Sequence, residues 1–180
     1  MIMGENTIIR TAEPDDARDM LRLYDPDRPR CALLNRHREP FWPTPDEVRE
    51  LLAPRDNVPA IFFVIEDLEG IVRGYCALRM PAGLENFYGE SLVLMHDDAD
   101  YESPLATETM AWLRKRAFGD LRHRKLITHA LDSETLYRAW LIAQGYESDG
   151  VQREVVYTQG RWQDCETLTL YNPALAVGVV

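Results

Sequence analysis

Two apolar runs in the middle of the chain, Val58 to Glu66 (VPAIFFVIE) and Ile71 to Met80 (IVRGYCALRM), are separated only by Asp67-Leu-Glu-Gly70. β-Branched and aromatic residues dominate both runs. The Asp/Gly connection suits a tight turn and is far too short for a helical crossover, so the two runs must pair antiparallel. In the second run Val72, Gly74, Cys76, Leu78 and Met80 alternate with Arg73, Tyr75 and Arg79. That period of two is the pattern of a half-buried strand. Any fold open to this chain is therefore built around a central antiparallel hairpin.

The flanking sequence alternates helix and strand signals. Glu5 to Ala12 reads as a strand, and Pro14 opens a helix to Tyr24 with Ala17, Met20, Leu21 and Tyr24 on one face. Asp25 to Pro43 is rich in Pro and Arg and has no period, as a long functional loop would. Thr44-Pro-Asp-Glu47 is a capping box that starts a helix ending near Ala53. Glu90 to Met95 is a further strand. Ser103 and Pro104 then read as N-cap and first residue of a helix whose Ala106, Met110, Leu113 and Ala117 face a core. Lys125 to Leu131 is a strand, and a helix capped by Asp132 or Ser133 runs through Gln144 to a stop at Gly145. Val151 to Tyr157 and Asp164 to Tyr171 pair across Gln159-Gly160. The expectation is an α/β domain over residues 1–173, with a mixed sheet of about seven strands, about four helices on its two faces and a tail at 174–180.

Composition narrows the partners. A formal net charge of −10 repels nucleic acid and anionic membrane, so neither is expected. The longest apolar run, Ala60 to Ile65, is too short to span a bilayer. The N-terminal MIMGENTIIR lacks the basic and apolar regions of a signal peptide. Cys31, Cys76 and Cys165 are widely spaced and form no CxxC pair, and the four histidines show no ligand spacing. No metal site is expected, and a reducing cytoplasm is the expected location.

The element order and four local stretches resemble the GCN5-related N-acetyltransferase family, in its RimJ/RimL-type branch. Ala106 to Phe118 (ATETMAWLRKRAF) is similar to the branch's third-helix segment. Gly74 in VRGYCAL matches a third-strand glycine, Gln144 to Tyr146 (QGY) the helix-ending motif, and Gly160 to Leu170 (GRWQDCETLTL) the last hairpin. The resemblance covers roughly residues 6–172 and implies a mostly antiparallel sheet splayed between its fourth and fifth strands, near Leu94 and Thr128. It implies acetyl-CoA as co-substrate, with its pantetheine arm in that gap and its pyrophosphate on the amides that start the third helix. A helix N-terminus is a natural anion site because its first N–H groups are unpaired and the dipole is positive there.

Carried onto this chain, the cofactor positions are Leu94, Met95, Tyr101, Ser103, Leu105, Ala106 and Glu134. The family's phosphate loop, R/Q-x-x-G-x-G/A, falls on Tyr101 to Ala106, where only Ala106 fits. Pro104 has no N–H to donate, and Asp97, Asp98, Asp100 and Glu102 bring negative charge to the loop. Leu141 stands where many members have a catalytic Tyr. Tyr137 falls on the branch's alternative hydroxyl position and is the candidate acid for the leaving thiolate. Glu90 and His96 are candidate bases, while alternation places His129 with Ile127 and Leu131, as a core histidine. His37 and His123 are expected to be exposed, and the basic cluster Arg114 to Arg116, followed by Arg122 and Arg124, to be a solvated helix end. Phe41 and Trp42, in the long loop, are the candidate substrate contacts. The resemblance thus implies an N-acetyltransferase for a small or peptide amine and admits a homodimer. The altered loop keeps an alternative open, a non-catalytic binding or assembly module of the same fold.

Overall fold

A computed structural model of the chain describes residues 1–25, 27, 43–53, 60–79 and 88–175. The described strands form one eight-stranded sheet. In chain order they are β1 (Ile2–Met3), β2 (Ile8–Thr11), β3 (Ala60–Glu66), β4 (Val72–Arg79), β5 (Tyr88–Met95), β6 (Lys125–Leu131), β7 (Glu147–Thr158) and β8 (Arg161–Tyr171). They lie in the order β1-β2-β3-β4-β5-β6-β8-β7. Every neighbouring pair is antiparallel except β5 and β6. The helices are α1 (Ala17–Met20), α2 (Pro45–Leu52), α3 (Pro104–Arg114) and α4 (Thr135–Ala143). The expected α/β architecture is found, with eight strands rather than seven.

The extra strand is β1. Gly4 N–H donates to Thr7 O, and Glu108 on α3 accepts from the backbone and side chain of Asn6, so a long-range carboxylate holds this hairpin. Nothing local in Ile2–Met3 announces it. The expected Pro14–Tyr24 helix is broken into a 3₁₀ turn (Pro14–Asp16), α1 and a second 3₁₀ turn (Leu21–Tyr24). The Asp16 carboxylate accepts from the Arg10 guanidinium at 2.7 and 2.8 Å and from Glu13 N–H at 2.7 Å, which ties the helix start to the sheet. The capping box at α2 forms as its residues dictate. Thr44 Oγ1 accepts from Glu47 N–H at 3.3 Å, and Glu47 Oε2 accepts from Thr44 N–H at 2.7 Å.

The central strands are buried on both sides. Tyr75, Ala77, Leu92 and Leu94 pack against Ala17, Met20, Val48 and Leu52 of α1 and α2. Cys76, Leu78, Val93 and Met95 pack against Ala106, Met110 and Leu113 of α3 and Leu141 of α4. The half-buried expectation for β4 is corrected, since Tyr75 and Ala77 face a second helical layer. Gly74 lies against β5, where a Cβ would overlap Leu94 O and come to 2.9 Å from Met95 Cα. Gly145 ends α4 at φ +88°, and Gln159 (φ +53°) with Gly160 (φ +75°) makes the two-residue turn from β7 to β8. β7 is longer than its apolar segment because β8 supplies the ladder, with irregularities between Ser148 and Gly150 and between Gln152 and Val156.

Candidate functional site

β5 and β6 form a fork. They pair through Tyr88–Lys125, Gly89–Leu126 and Glu90–Ile127, and there the pairing stops. Beyond that point β5 stays on β4 and β6 stays on β8. These strands are the expected fourth and fifth, and they separate before Leu94 and Thr128, where the gap was expected. Side chains hold the fork. Ser91 Oγ lies 2.7 Å from Tyr146 Oη and donates to Ile127 O at 3.4 Å, and a Cβ on Gly89 would come within 3.2 Å of the His123 ring. His123 is 1% exposed, against the expectation of a surface residue, and its burial lowers its pKa.

A strand edge that leaves its partner exposes N–H and C=O groups that must be met in some other way. Here Tyr101 meets them. Its hydroxyl donates to Val93 O at 3.1 Å and accepts from Met95 N–H at 3.3 Å. The ring is 4% exposed and lies 5.0 Å from Tyr137 and 5.3 Å from Trp140, centroid to centroid. On the β6 side Tyr137 Oη lies 3.1 Å from Thr128 Oγ1. Tyr101, Tyr137, Trp140 and Tyr146 therefore fill the mouth of the fork on the α3–α4 face. Met95 lies on that face with them, whereas Leu94 points to the α1–α2 layer.

Tyr101 reaches this place on a 3₁₀ turn, Asp98–Glu102, directly before α3. Ser103 takes the N-cap position, but its hydroxyl donates to Asp100 O at 2.6 Å, and no side chain caps α3. Pro104 is the first helical residue, Leu105 is partly buried and Ala106 is fully buried. The Asp97 carboxylate turns back onto Ala99 N–H at 2.9 Å. Burial raises the Asp100 carboxyl above its ordinary value, the Arg73 charge opposes this, and Asp97 and Asp67 add to it. At the far end of α3, Arg114 has buried Nε and Nη2 atoms with no hydrogen-bond partner, and burial lowers its pKa, so it is not the solvated cation expected.

The other expected site residues are scattered. Glu134 caps β6 locally, with Oε2 accepting from Leu131 N–H at 2.8 Å. His96 follows β5 but turns to the α1–α2 side, with Nε2 3.4 Å from Asp19 Oδ2 and its ring 5.7 Å from Tyr75. Glu90 stands at the base of the fork on that same side. Its carboxylate lies 3.5 Å from Arg79 Nη1 and 3.7 Å from His129 Nδ1. Burial acts to raise the Glu90 carboxyl, but the His129 ring and the Arg79 guanidinium outweigh it, and the group lies below its ordinary value. The side chain of His129 is 40% exposed and not a core histidine. Phe41, Trp42 and His37 lie outside the described residues. Trp140, missed from the sequence, is signalled there only by its spacing of three from Tyr137 on one helix. Among the described residues no group of His, Cys, Asp and Glu is arranged to hold a metal ion, and no helix is long and apolar enough to cross a membrane.

No protein-family model and no curated protein matches this sequence. Solved structures do resemble the fold. The spermidine N-acetyltransferase of Vibrio cholerae in complex with CoA and spermine superposes with a TM-score of 0.76 at 19% identity, covering 94% of this chain and 97% of that one. The spermidine/spermine N-acetyltransferase of the same organism with manganese ions gives a TM-score of 0.72 at 19% identity, with 93% of each chain covered. At that identity the likeness establishes the fold, which is the GCN5-related acetyltransferase fold.

Proposed function

We propose that this protein is an acetyl-CoA-dependent N-acetyltransferase of the RimJ/RimL type that acts on a primary amine, either a small molecule or a peptide N-terminus. The observation that carries the reading is the fork, because parting two adjacent central strands wastes backbone hydrogen bonds unless something else is to lie between them. The fold neighbour in complex with CoA and spermine supports it. Acetyl-CoA would supply the activated acetyl group. Val93, Leu94 and Met95 would meet its arm along β5, and Ser103, Leu105 and Ala106 its phosphates at the start of α3. Tyr137 would protonate the leaving sulfur from the β6 side. The buried thiol of Cys76, which forms no disulfide, fits a cytoplasmic setting. The reading admits a homodimer.

One observation favours a second reading, a closed module of the same fold that binds no acetyl-CoA. An amide-bearing arm in the fork and the Tyr101 hydroxyl call on the same two backbone groups, Val93 O and Met95 N–H. Moving Tyr101 out forfeits two hydrogen bonds at about 1 kcal/mol each and a buried ring worth about 2 kcal/mol. A penalty of about 4 kcal/mol weakens apparent affinity about a thousandfold. Calorimetric titration of acetyl-CoA into the wild type and Tyr101→Phe separates the readings. The acetyltransferase reading expects measurable binding that tightens about tenfold or more when the hydroxyl is removed. Binding by neither protein, nor by Tyr101→Ala, leaves the closed module.

A further inference from the structure

Arg79, Glu90 and His129 lie side by side across three strands on the α1–α2 face. The register makes this unavoidable. Arg79 pairs with Glu90, Glu90 pairs with Ile127, and His129 is two residues beyond Ile127 and so on the same face. Glu90–Ile127 is also the last pair before the strands part. Glu90 therefore sits at the base of the fork, and His129 on its β6 edge, where it pairs with Thr167 of β8. The contact of 3.7 Å between Glu90 Oε1 and His129 Nδ1 bridges the opening. Tyr101, Tyr137 and Trp140 lie on the opposite face.

We propose that His129 accepts the proton of the acceptor amine, and that Glu90, itself held by Arg79, positions the ring. This rests on the acetyltransferase reading and deepens it. Of Glu90 and His129, the carboxylate is the poorer base, because the neighbouring ring and guanidinium stabilise its ionised form. An imidazole has an ordinary pKa near neutrality, where a general base works best. The Glu90 carboxylate, 3.7 Å from Nδ1, favours the ring proton on that nitrogen and leaves Nε2 to take the amine proton. In the step, the substrate ammonium gives one proton to Nε2 and its nitrogen bonds to the acetyl carbon of acetyl-CoA. The C–S bond breaks, Tyr137 gives its proton to the leaving sulfur and is reprotonated by the second amine proton, and the imidazolium returns its proton to water. Among the described residues, the charged and titratable groups on this face include Arg79, Glu90, Lys125 with Asp149 at 3.7 Å, and, further along β5, His96 with Asp19 of α1 at 3.4 Å.

The test is NMR of ring-labelled histidine together with kinetics. The His129 signal is the one absent from His129→Gln. Glu90→Gln is expected to move the His129 ring-nitrogen signals, since the carboxylate beside Nδ1 sets which nitrogen carries the proton. Spermine, propylamine and a short peptide with a free N-terminus are the probes, each added to the protein in the presence of CoA. At least one is expected to move the His129 signal. His129→Gln is expected to lower kcat/KM for that amine about 10²-fold, to abolish the acid limb of the pH–rate profile, and to leave acetyl-CoA affinity unchanged. A wild-type pH profile in His129→Gln, or a signal that no probe moves although acetyl-CoA binds, overturns the role of His129 alone. No acetyl-CoA binding by the wild type or by Tyr101→Ala overturns the acetyltransferase reading, and this proposal with it.

Discussion

Tyr101 and Tyr137 meet ring to ring in the fork, yet their hydroxyls address opposite strands. The Tyr101 hydroxyl closes the β5 edge, whereas that of Tyr137 reaches Thr128 on β6. If Tyr137 protonates the leaving thiolate, Tyr137→Phe should lower turnover about 10²-fold with acetyl-CoA affinity retained. Thr128 is fully buried, so losing its partner should also cost about 1 kcal/mol, visible as a melting temperature a few degrees lower. Thr128→Val keeps the phenol and removes the partner. It should reproduce the stability loss without the turnover loss, and single-turnover kinetics beside thermal melts on the two variants checks this. Equal turnover losses would mean that the contact, and not the phenol, matters.

At the scale of elements, β4 and β5 touch at Gly74, and this close approach sets where the end of β5 lies. Gly74→Ala would place a methyl group against Leu94 O and Met95 Cα, on either side of which nothing can yield without moving the strand. A destabilisation of about 2–3 kcal/mol is expected, read as a lower denaturant midpoint at constant m-value. The same displacement would carry Met95 N–H away from the Tyr101 hydroxyl. Gly119→Ala is the control. Gly119 has nothing within 4 Å of a new Cβ and no positive φ, so this change should leave stability unchanged or slightly higher.

At the scale of the whole molecule, several carboxylates that tie elements together have lowered pKa values. Asp16 is lowered by its Arg10 hydrogen bonds against the effect of burial, and Glu166 by Arg138. Glu90 joins them, its partners outweighing burial. The sign follows from proton counting. Each group binds fewer protons folded than unfolded, so its stabilisation is present above the ordinary carboxylate value of about 4 and is lost as pH falls through the folded value. Asp100, raised by burial, acts in the opposite direction and offsets part of this. Melting temperature should therefore fall from pH 6 towards pH 2.5. Asp16→Asn should melt lower at neutral pH and show a flatter profile, because the variant has already lost the contribution that acid removes.

Local chemistry was legible in the residues themselves. Thr44 and Glu47 cap α2, Gly145 stops α4, Gln159-Gly160 turns the last hairpin and Asp67 to Gly70 joins β3 to β4, because each signal acts within a few bonds of its own backbone. The fork was legible only through the ordered resemblance of four such stretches. Alternation correctly set His129 on the face of Ile127, but it could not show that this part of the face is half-open and polar. That depends on which helices cover which strands, and α1 and α2 pack over β3, β4 and β5. β1 escaped notice because Glu108, more than a hundred residues away, holds its turn. β7 ran past its apolar segment because an edge strand takes its length from the partner's ladder. Tyr101 is the sharpest case. By position it belongs to a phosphate loop, and only the folded chain shows its hydroxyl completing the β5 edge, since period and spacing assign a face while tertiary packing alone decides what occupies it.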